Sequence, residues 1–247
     1  MPALPEDTCL LSIVMPAHNE ADYLEAAVGE VDQRVRARGH ELEILVVENG
    51  STDDTLAIGR RLADALASVQ VSTRPVADYG AALRDGILAA RGEIIVTFDV
   101  DYYDLGFVDD ALALLTGGAP APAIVVGSKR APGARDERPW PRRLVTTVFS
   151  VLLRAVFSLS VSDTHGMKVM RRVDVEPILE RCRFRTDLFD TELVIRSQRA
   201  GLRIAELPVT AQERRPSRTP IWQRVPRTLV GMIELRLTLW RERRSSA

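Results

Sequence analysis

Short apolar runs alternate with amphipathic stretches over the first part of the chain. Leu10–Met15 is an apolar-rich run of strand length, and Glu20–Arg38 repeats its apolar residues at helical spacing. Glu43–Val47 predicts a second strand, followed by a helix over Asp53–Leu66 that Ser51 or Asp53 is placed to cap. Val69–Ser72 predicts a short strand, Tyr79–Ala90 a helix ending at Gly92, and Glu93–Phe98 a fourth strand. Strands alternating with helices of this length predict an α/β fold. Its sheet is doubly wound and mostly parallel, with helices on both faces. In such sheets ligands bind beyond the carboxyl ends of the strands.

Polar residues cluster at those ends. The β-branched run before Thr97 leads into Asp99-Val100-Asp101, and a strand would put two carboxylates spaced this way on one face. Unpaired buried carboxylates are costly, so something cationic is expected between them. Hard oxygen ligands suit Mg²⁺ or Mn²⁺, ions that usually share their coordination with substrate phosphates. A turn or a helix cap also uses Asp. After the first strand comes Pro16-Ala17-His18-Asn19-Glu20, and after the second Glu48-Asn49-Gly50-Ser51-Thr52-Asp53-Asp54-Thr55. Each alone is ordinary turn chemistry, but three polar segments at successive strand ends make one composite site.

The order Pro-x-x-Asn-Glu, Asn-Gly-Ser-x-Asp-x-Thr, then Gly80, Ala82, Gly86 and Gly92, then Asp-x-Asp resembles the family 2 glycosyltransferases with the GT-A fold. The resemblance implies a nucleotide-sugar donor whose base and ribose are gripped by the first two segments. It implies that Asp99 lies near ribose or metal and that Asp101 ligates a divalent ion bridging the diphosphate. That ion would offset charge developing on the leaving nucleoside diphosphate. The donor-binding set is then Pro16, Ala17, His18, Asn19, Glu20, Val47, Glu48, Gly50, Ser51, Asp53, Asp78, Asp99, Val100 and Asp101, with Asp99 and Asp101 as metal ligands. The chain departs from the family pattern in two places. His18 stands where an aromatic residue is usual, and Glu48-Asn49 stands for the usual Asp-Asp.

The second half continues with a strand and basic turn, Val125-Val126-Gly127-Ser128-Lys129-Arg130, and a polar, proline-containing loop over Pro132–Pro141 that reads as a lid. Leu144–Val161 predicts a helix too polar to span a bilayer, suited either to an interface or to the core. Ser162-Asp163-Thr164-His165-Gly166-Met167-Lys168 follows. Phe189-Asp190-Thr191-Glu192-Leu193 then enters a helix, and Glu206-Leu207-Pro208-Val209 and Arg214-Arg215-Pro216-Ser217-Arg218 come after it. This succession resembles the polyprenyl-phosphate sugar synthases, that is, dolichyl-phosphate mannose and glucose synthases. It is one residue shorter than the glucose-synthase pattern in the Asp163–Lys168 segment. It also carries Tyr103 where mannose synthases often place a metal-binding Gln.

A lipid monophosphate acceptor has a second pKa of about 6 and is largely a dianion at neutral pH. It needs cations to hold it, not a general base, and arginine suits phosphate. Lys129, Arg130, Arg142, Arg143, Lys168, Arg214 and Arg215 form the pool of candidates. The resemblance implies a single displacement with inversion. A hydroxyl acceptor would instead need a carboxylate base. Asp190 stands where family 2 enzymes acting on hydroxyls commonly place it, and it is equally an ordinary helix cap. A non-catalytic nucleotide-sugar-binding protein is a further alternative, against which both metal-site carboxylates argue.

Charge and composition sharpen the division of labour. Residues 1–128 hold 8 Lys+Arg against 21 Asp+Glu, and residues 129–247 hold 25 against 13. The basic half suits an anionic partner: a phosphorylated substrate, a membrane surface or nucleic acid. The scarcity of aromatics and the lack of a recognition motif argue against nucleic acid. The catalytic domain is expected over residues 1–218, with a nucleotide-sugar half at about 8–128 and an acceptor half at about 129–218. Residues 219–247 read as a basic amphipathic helix and short tail, suited to a membrane surface, a second copy of the chain, or the protein's own core. Cys9 and Cys182 are too few for a disulfide framework. With no signal peptide and no spanning run, the expected location is cytoplasmic and peripheral on the inner face of the membrane.

Overall fold

A computed structural model describes residues 10–118, 120–184, 188–211 and 221–245; Cys9, Arg214 and Arg215 lie outside them. Four parallel strands come first: β1 (Leu10–Ala17), β2 (Glu41–Asn49), β3 (Val69–Arg74) and β4 (Ile94–Thr97). β5 (Ile124–Ser128), β7 (Lys168–Arg171) and β8 (Ile204–Pro208) complete a seven-stranded sheet of order β3-β2-β1-β4-β7-β5-β8. Only β7 runs antiparallel, between β4 and β5. Strands from both halves of the chain therefore share one sheet. The first strands formed where apolar runs predicted them, because a strand buried on both faces reads as continuous apolar sequence.

Helices cover both faces. Successive side chains of β1 point to opposite sides. Leu11, Ile13 and Met15 meet α1 (Leu24–Ala37), α2 (Thr55–Ala65) and α4 (Leu105–Thr116) in one core. Val14 joins the other core with α3 (Tyr79–Ala89), α6 (Arg172–Leu179) and α7 (Phe189–Arg199). A third cluster joins α5 (Trp140–Phe157) and α8 (Ile221–Ser245) to α7. The segment expected to be a lid instead holds β6 (Arg135–Asp136), paired with β9 (Thr210–Ala211), and the start of α5. Pro141 in its first turn favours that early start. Ser158, in the left-handed region at φ 54°, ends the helix before Val161. β7, α4 and α6 were not anticipated.

α3 lies so close to the sheet that a Cβ on Gly86 would come 2.4 Å from Val14 Cγ1 and 3.0 Å from Val47 Cγ2. Alanine there would gain about 1 kcal/mol of helix propensity against roughly 1–3 kcal/mol of overpacking. Valine adds two methyls and loses most of that gain. Gly86→Val is therefore expected to lower the urea midpoint well below that of Gly86→Ala. A Gly86→Val midpoint equal to wild type would show that the helix–sheet spacing is not as close as described.

Candidate active site

The ends of β1 and β2 are stitched together by side chains bonding to main chain. Gly50 turns at φ +65°, and a Cβ there would meet the Ala77 amide nitrogen at 2.8 Å, so the turn requires glycine. Glu48 is buried, and its Oε1 accepts from the Ser51 amide at 2.5 Å. Asn49 Oδ1 accepts from the Asp78 amide at 2.8 Å, and the Asn49 carbonyl lies 2.8 Å from His18 Nδ1. Asp78 in turn caps α3 by accepting from the Ala81 amide. Across the gap, the Asn19 amide donates to Ser51 Oγ, and Asn19 Oδ1 accepts from the Thr52 amide at 2.7 Å. The Glu20 amide donates to Thr55 Oγ1 at 2.7 Å. Burial works against the Asp53 carboxylate, but the Thr55 hydroxyl and amide and the Ala21 amide hold its pKa below the ordinary value. The side chains of Pro16, Ala17, Val47 and Val100 are buried, so these residues offer the site main chain and shape.

Asp99 emerges just beyond β4. Its Oδ1 accepts from the Tyr79 hydroxyl at 2.9 Å, and its carbonyl accepts from the Tyr102 amide. Burial pushes its carboxyl up; the Tyr79 bond opposes this, while the nearby carboxylates of Asp101 and Asp190 add to it. Asp99 and Asp101, on a strand-end turn, supply hard oxygen donors of the kind a divalent cation takes. Among the described residues no three or more His, Cys, Asp or Glu side chains form a metal-holding group by themselves. Asp99 and Asp101 therefore fit an ion held jointly with ligand oxygens. Tyr103 is turned away: its hydroxyl donates to Glu30 on α1 at 2.6 Å, and its ring packs by Phe98.

The antiparallel direction of β7 places its first residue, Lys168, opposite Thr97, beside the end of β4. Lys168 is 1% exposed, and its Nζ donates to Asp190 Oδ1 at 2.6 Å and to the Gly166 carbonyl at 3.0 Å. Asp190 is likewise buried, at the start of α7. The ammonium of Lys168, an expected phosphate ligand, is thus enclosed and bonded to a carboxylate. The preceding segment is fixed by Glu206, which accepts from the Ser162 and Asp163 amides, and by a hydroxyl contact between Thr164 and Thr191. One sequence signal for Lys168 was available. Of 33 Lys+Arg, only Lys129 and Lys168 are lysines, and both fall here.

A set of cations gathers between the end of β5 and α5. Lys129 lies 5.7 Å above the Tyr102 ring and works against the raised pKa of Asp99. Arg130 donates to Thr147 on α5 at 2.9 Å, while its buried Nε has no hydrogen-bond partner. Burial pushes its guanidinium down. Arg138 is bonded bidentately to Asp136, at 2.7 and 2.6 Å, and the charge of Arg138 also acts on Arg130. It was not among the sequence candidates, because a lone arginine in a polar loop carries no pattern. Arg142 and Arg143 lie in the first turn of α5, where Arg143 is exposed.

Comparison with known proteins decides what this constellation belongs to. Residues 12–179 match the family described as glycosyl transferase family 2. The chain belongs to that family. An uncharacterized glycosyltransferase of Mycobacterium tuberculosis is 33% identical, the match covering 94% of this chain and 96% of that one. The undecaprenyl-phosphate mannosyltransferase of Micrococcus luteus is 28% identical, over 81% of this chain and 83% of that protein. Among solved structures, the glucosyl-3-phosphoglycerate synthase of Mycobacterium tuberculosis superposes with a TM-score of 0.66 at 21% identity, covering 92% of this chain and 78% of that one. That synthase was crystallised with Mn²⁺, uridine diphosphate and phosphoglyceric acid. The superposition shows the GT-A fold. This family 2 glycosyltransferase thus carries its strand-end carboxylates on the architecture the sequence predicted.

The buried pair gives a stability prediction. Removing one partner of a buried ion pair typically costs about 3–5 kcal/mol, whereas replacing both is far milder. Lys168→Met should lower the unfolding free energy in urea by about that amount. The double variant Lys168→Met/Asp190→Asn should recover much of the loss. Simple additivity of the two single variants would show that the residues are not coupled.

Proposed function

We propose that this glycosyltransferase moves a hexose from a GDP- or UDP-sugar to the phosphate of a polyprenyl phosphate, using Mg²⁺ or Mn²⁺. It would work at the cytoplasmic face of the membrane. The observation that carries the reading is an asymmetry around Asp99. Lys129 acts on Asp99, and Arg130, Arg138 and Arg143 gather near Asp136, to which Arg138 is bonded, while the candidate base, Asp190, is enclosed and bonded to Lys168. Such an arrangement suits an acceptor that arrives already anionic. An acceptor phosphate oxygen would attack the anomeric carbon as the bond from that carbon to the diphosphate oxygen breaks, and the sugar inverts. No proton has to leave the acceptor, because the phosphate is largely a dianion at neutral pH.

In this reading Asp99 and Asp101 hold the divalent ion, whose chemistry is to neutralise charge developing on the departing diphosphate. The β1 and β2 turns present main-chain groups to the nucleoside, shaped by Glu48, Asn49 and Asn19. The likeness to a protein named undecaprenyl-phosphate mannosyltransferase supports the acceptor class, and the manganese and nucleotide of the superposed synthase support the donor class. A hydroxyl acceptor remains the competing reading, with Asp190 as its base.

Two measurements test the proposal. Nucleotide titration with and without Mn²⁺ should show metal-dependent binding in the wild type that Asp101→Ala abolishes, with the fold kept by circular dichroism. Persisting metal dependence in the variant would remove Asp101 from the metal site. Transfer to polyprenyl phosphate should fall further in Arg130→Ala and Arg143→Ala than in Asp190→Asn. General-base catalysis is typically worth about 10²–10⁴-fold. A loss of that size in Asp190→Asn with donor affinity intact, and little loss in the arginine variants, would favour the hydroxyl acceptor.

A further inference from the structure

α5 and α8 each have two apolar faces. On α5, Leu153 and Phe157 are buried in the third cluster, while Trp140, Leu144, Val148 and Val151 are 54–73% exposed. At about 3.6 residues per turn these exposed positions fall on the side opposite the buried pair. α8 repeats the arrangement. Met232, Leu235 and Leu239 are buried, and Val230, Ile233, Leu237 and Trp240 form an exposed stripe on the far side. Most of the large hydrophobic residues exposed among the described residues lie on these two helices. A concentration of this kind marks an interaction surface rather than scattered surface apolarity.

Charge indicates what covers it. α5 contains no Asp or Glu and exposes Arg143 and Arg154. The outward half of α8 exposes Arg236, Arg241 and Arg244 against Glu234, while Glu242 is engaged by Arg196. Two copies paired through these faces would set arginine against arginine, a repulsive arrangement. An anionic phospholipid surface meets both the apolar stripes and the arginines. Tryptophans mark the stripe ends, Trp140 in the first turn of α5 and Trp240 near the end of α8, with the Arg244 guanidinium 4.1 Å above the Trp240 ring. Such amphipathic rings settle at membrane–water boundaries. Arg130, in the candidate phosphate cluster, is bonded to Thr147 of α5 and so ties that cluster to the helix.

We infer that the outward stripes of α5 and α8 seat the protein on an anionic membrane surface, which deepens the lipid-phosphate reading of the acceptor and rests on it. Among the described residues no helix is long and apolar enough to cross a membrane, so the contact would be peripheral.

Vesicle co-sedimentation of the full chain tests this, with phosphatidylcholine alone or mixed with phosphatidylglycerol, at low and high salt. Binding should be tighter on the anionic vesicles by roughly tenfold or more and weaken with salt. Val148→Glu and Ile233→Glu, one on each helix, should each bind much less while keeping wild-type circular dichroism. No partitioning of the wild type, or undiminished binding by both variants, would overturn the inference. So would a dimer in sedimentation equilibrium that Ile233→Glu dissociates, since the stripe would then face a second copy. Transfer to a short, water-soluble polyprenyl phosphate separates the two readings. A chain that transfers but does not partition refutes the membrane face alone. One that partitions but transfers to no polyprenyl phosphate supports the membrane face and refutes the acceptor.

Discussion

Lys168 and Asp190 meet 2.6 Å apart with almost no exposed surface, and the active end of the sheet is arranged around keeping them together. Two charges this far from water are tolerable only when paired and further hydrogen-bonded. Lys168 gets its second acceptor from the Gly166 carbonyl, two residues earlier in its own chain. The lysine is the first residue of the one antiparallel strand, so β7 must start where β4 ends. The aspartate is on the first turn of α7, so that helix must point its start at the same place. Meeting both conditions carries the Ser162–Gly166 segment to the edge of the site, where Glu206 fastens it.

The same logic governs the rest of α7. Nine successive residues, Phe189 to Ser197, are buried, although several are charged or polar. Glu192 accepts from the Arg183 and Phe184 amides and from Arg196, and Arg196 reaches Glu242 on α8. These contacts are largely shielded, unlike the exposed pairs along α1, whose worth is a fraction of a kcal/mol to about 1 kcal/mol. The acidic bias of the first half is also partly structural. Glu43 is taken up by Ser12 and Arg91, and Asp32 by Ser68 and Arg36. The lopsided charge of the chain therefore overstates how much acid faces a ligand, while Asp99 and Asp101 remain at the strand end.

What the sequence disclosed follows from what local patterns can carry. Buried parallel strands announce themselves as apolar runs, and Asn49-Gly50 and Asp99-Val100-Asp101 announce the turns that follow. β7 has four residues that begin with lysine and end with arginine, so nothing marks it as a strand. α6 contains Pro177, and α7 hides its burial behind polar residues whose partners are far away in sequence. The pairing of Lys168 was hidden for the same reason: its partner lies 22 residues on. Residue type was legible but direction was not. Glu48 and Asn49 stand at the end of β2, where the apolar run put them, and both side chains fold back onto main-chain amides.

That folding back bears on how the substitution of Glu48-Asn49 for the family's usual Asp-Asp works. The longer glutamate reaches the Ser51 amide, and the asparagine oxygen reaches the Asp78 amide that opens α3. A carboxylate and an amide thus shape two turns, and their oxygens are taken up by main-chain amides. On the opposite flank the fixed parts are helices. Glu242 grips Arg196 through both carboxylate oxygens, at 2.8 and 3.1 Å, and so ties α8 to α7, whose first turn holds Asp190. Arg130 ties α5, at Thr147, to the cation cluster. Each of the two helices with outward apolar faces is therefore fastened by an arginine from a neighbouring element, α8 by Arg196 and α5 by Arg130.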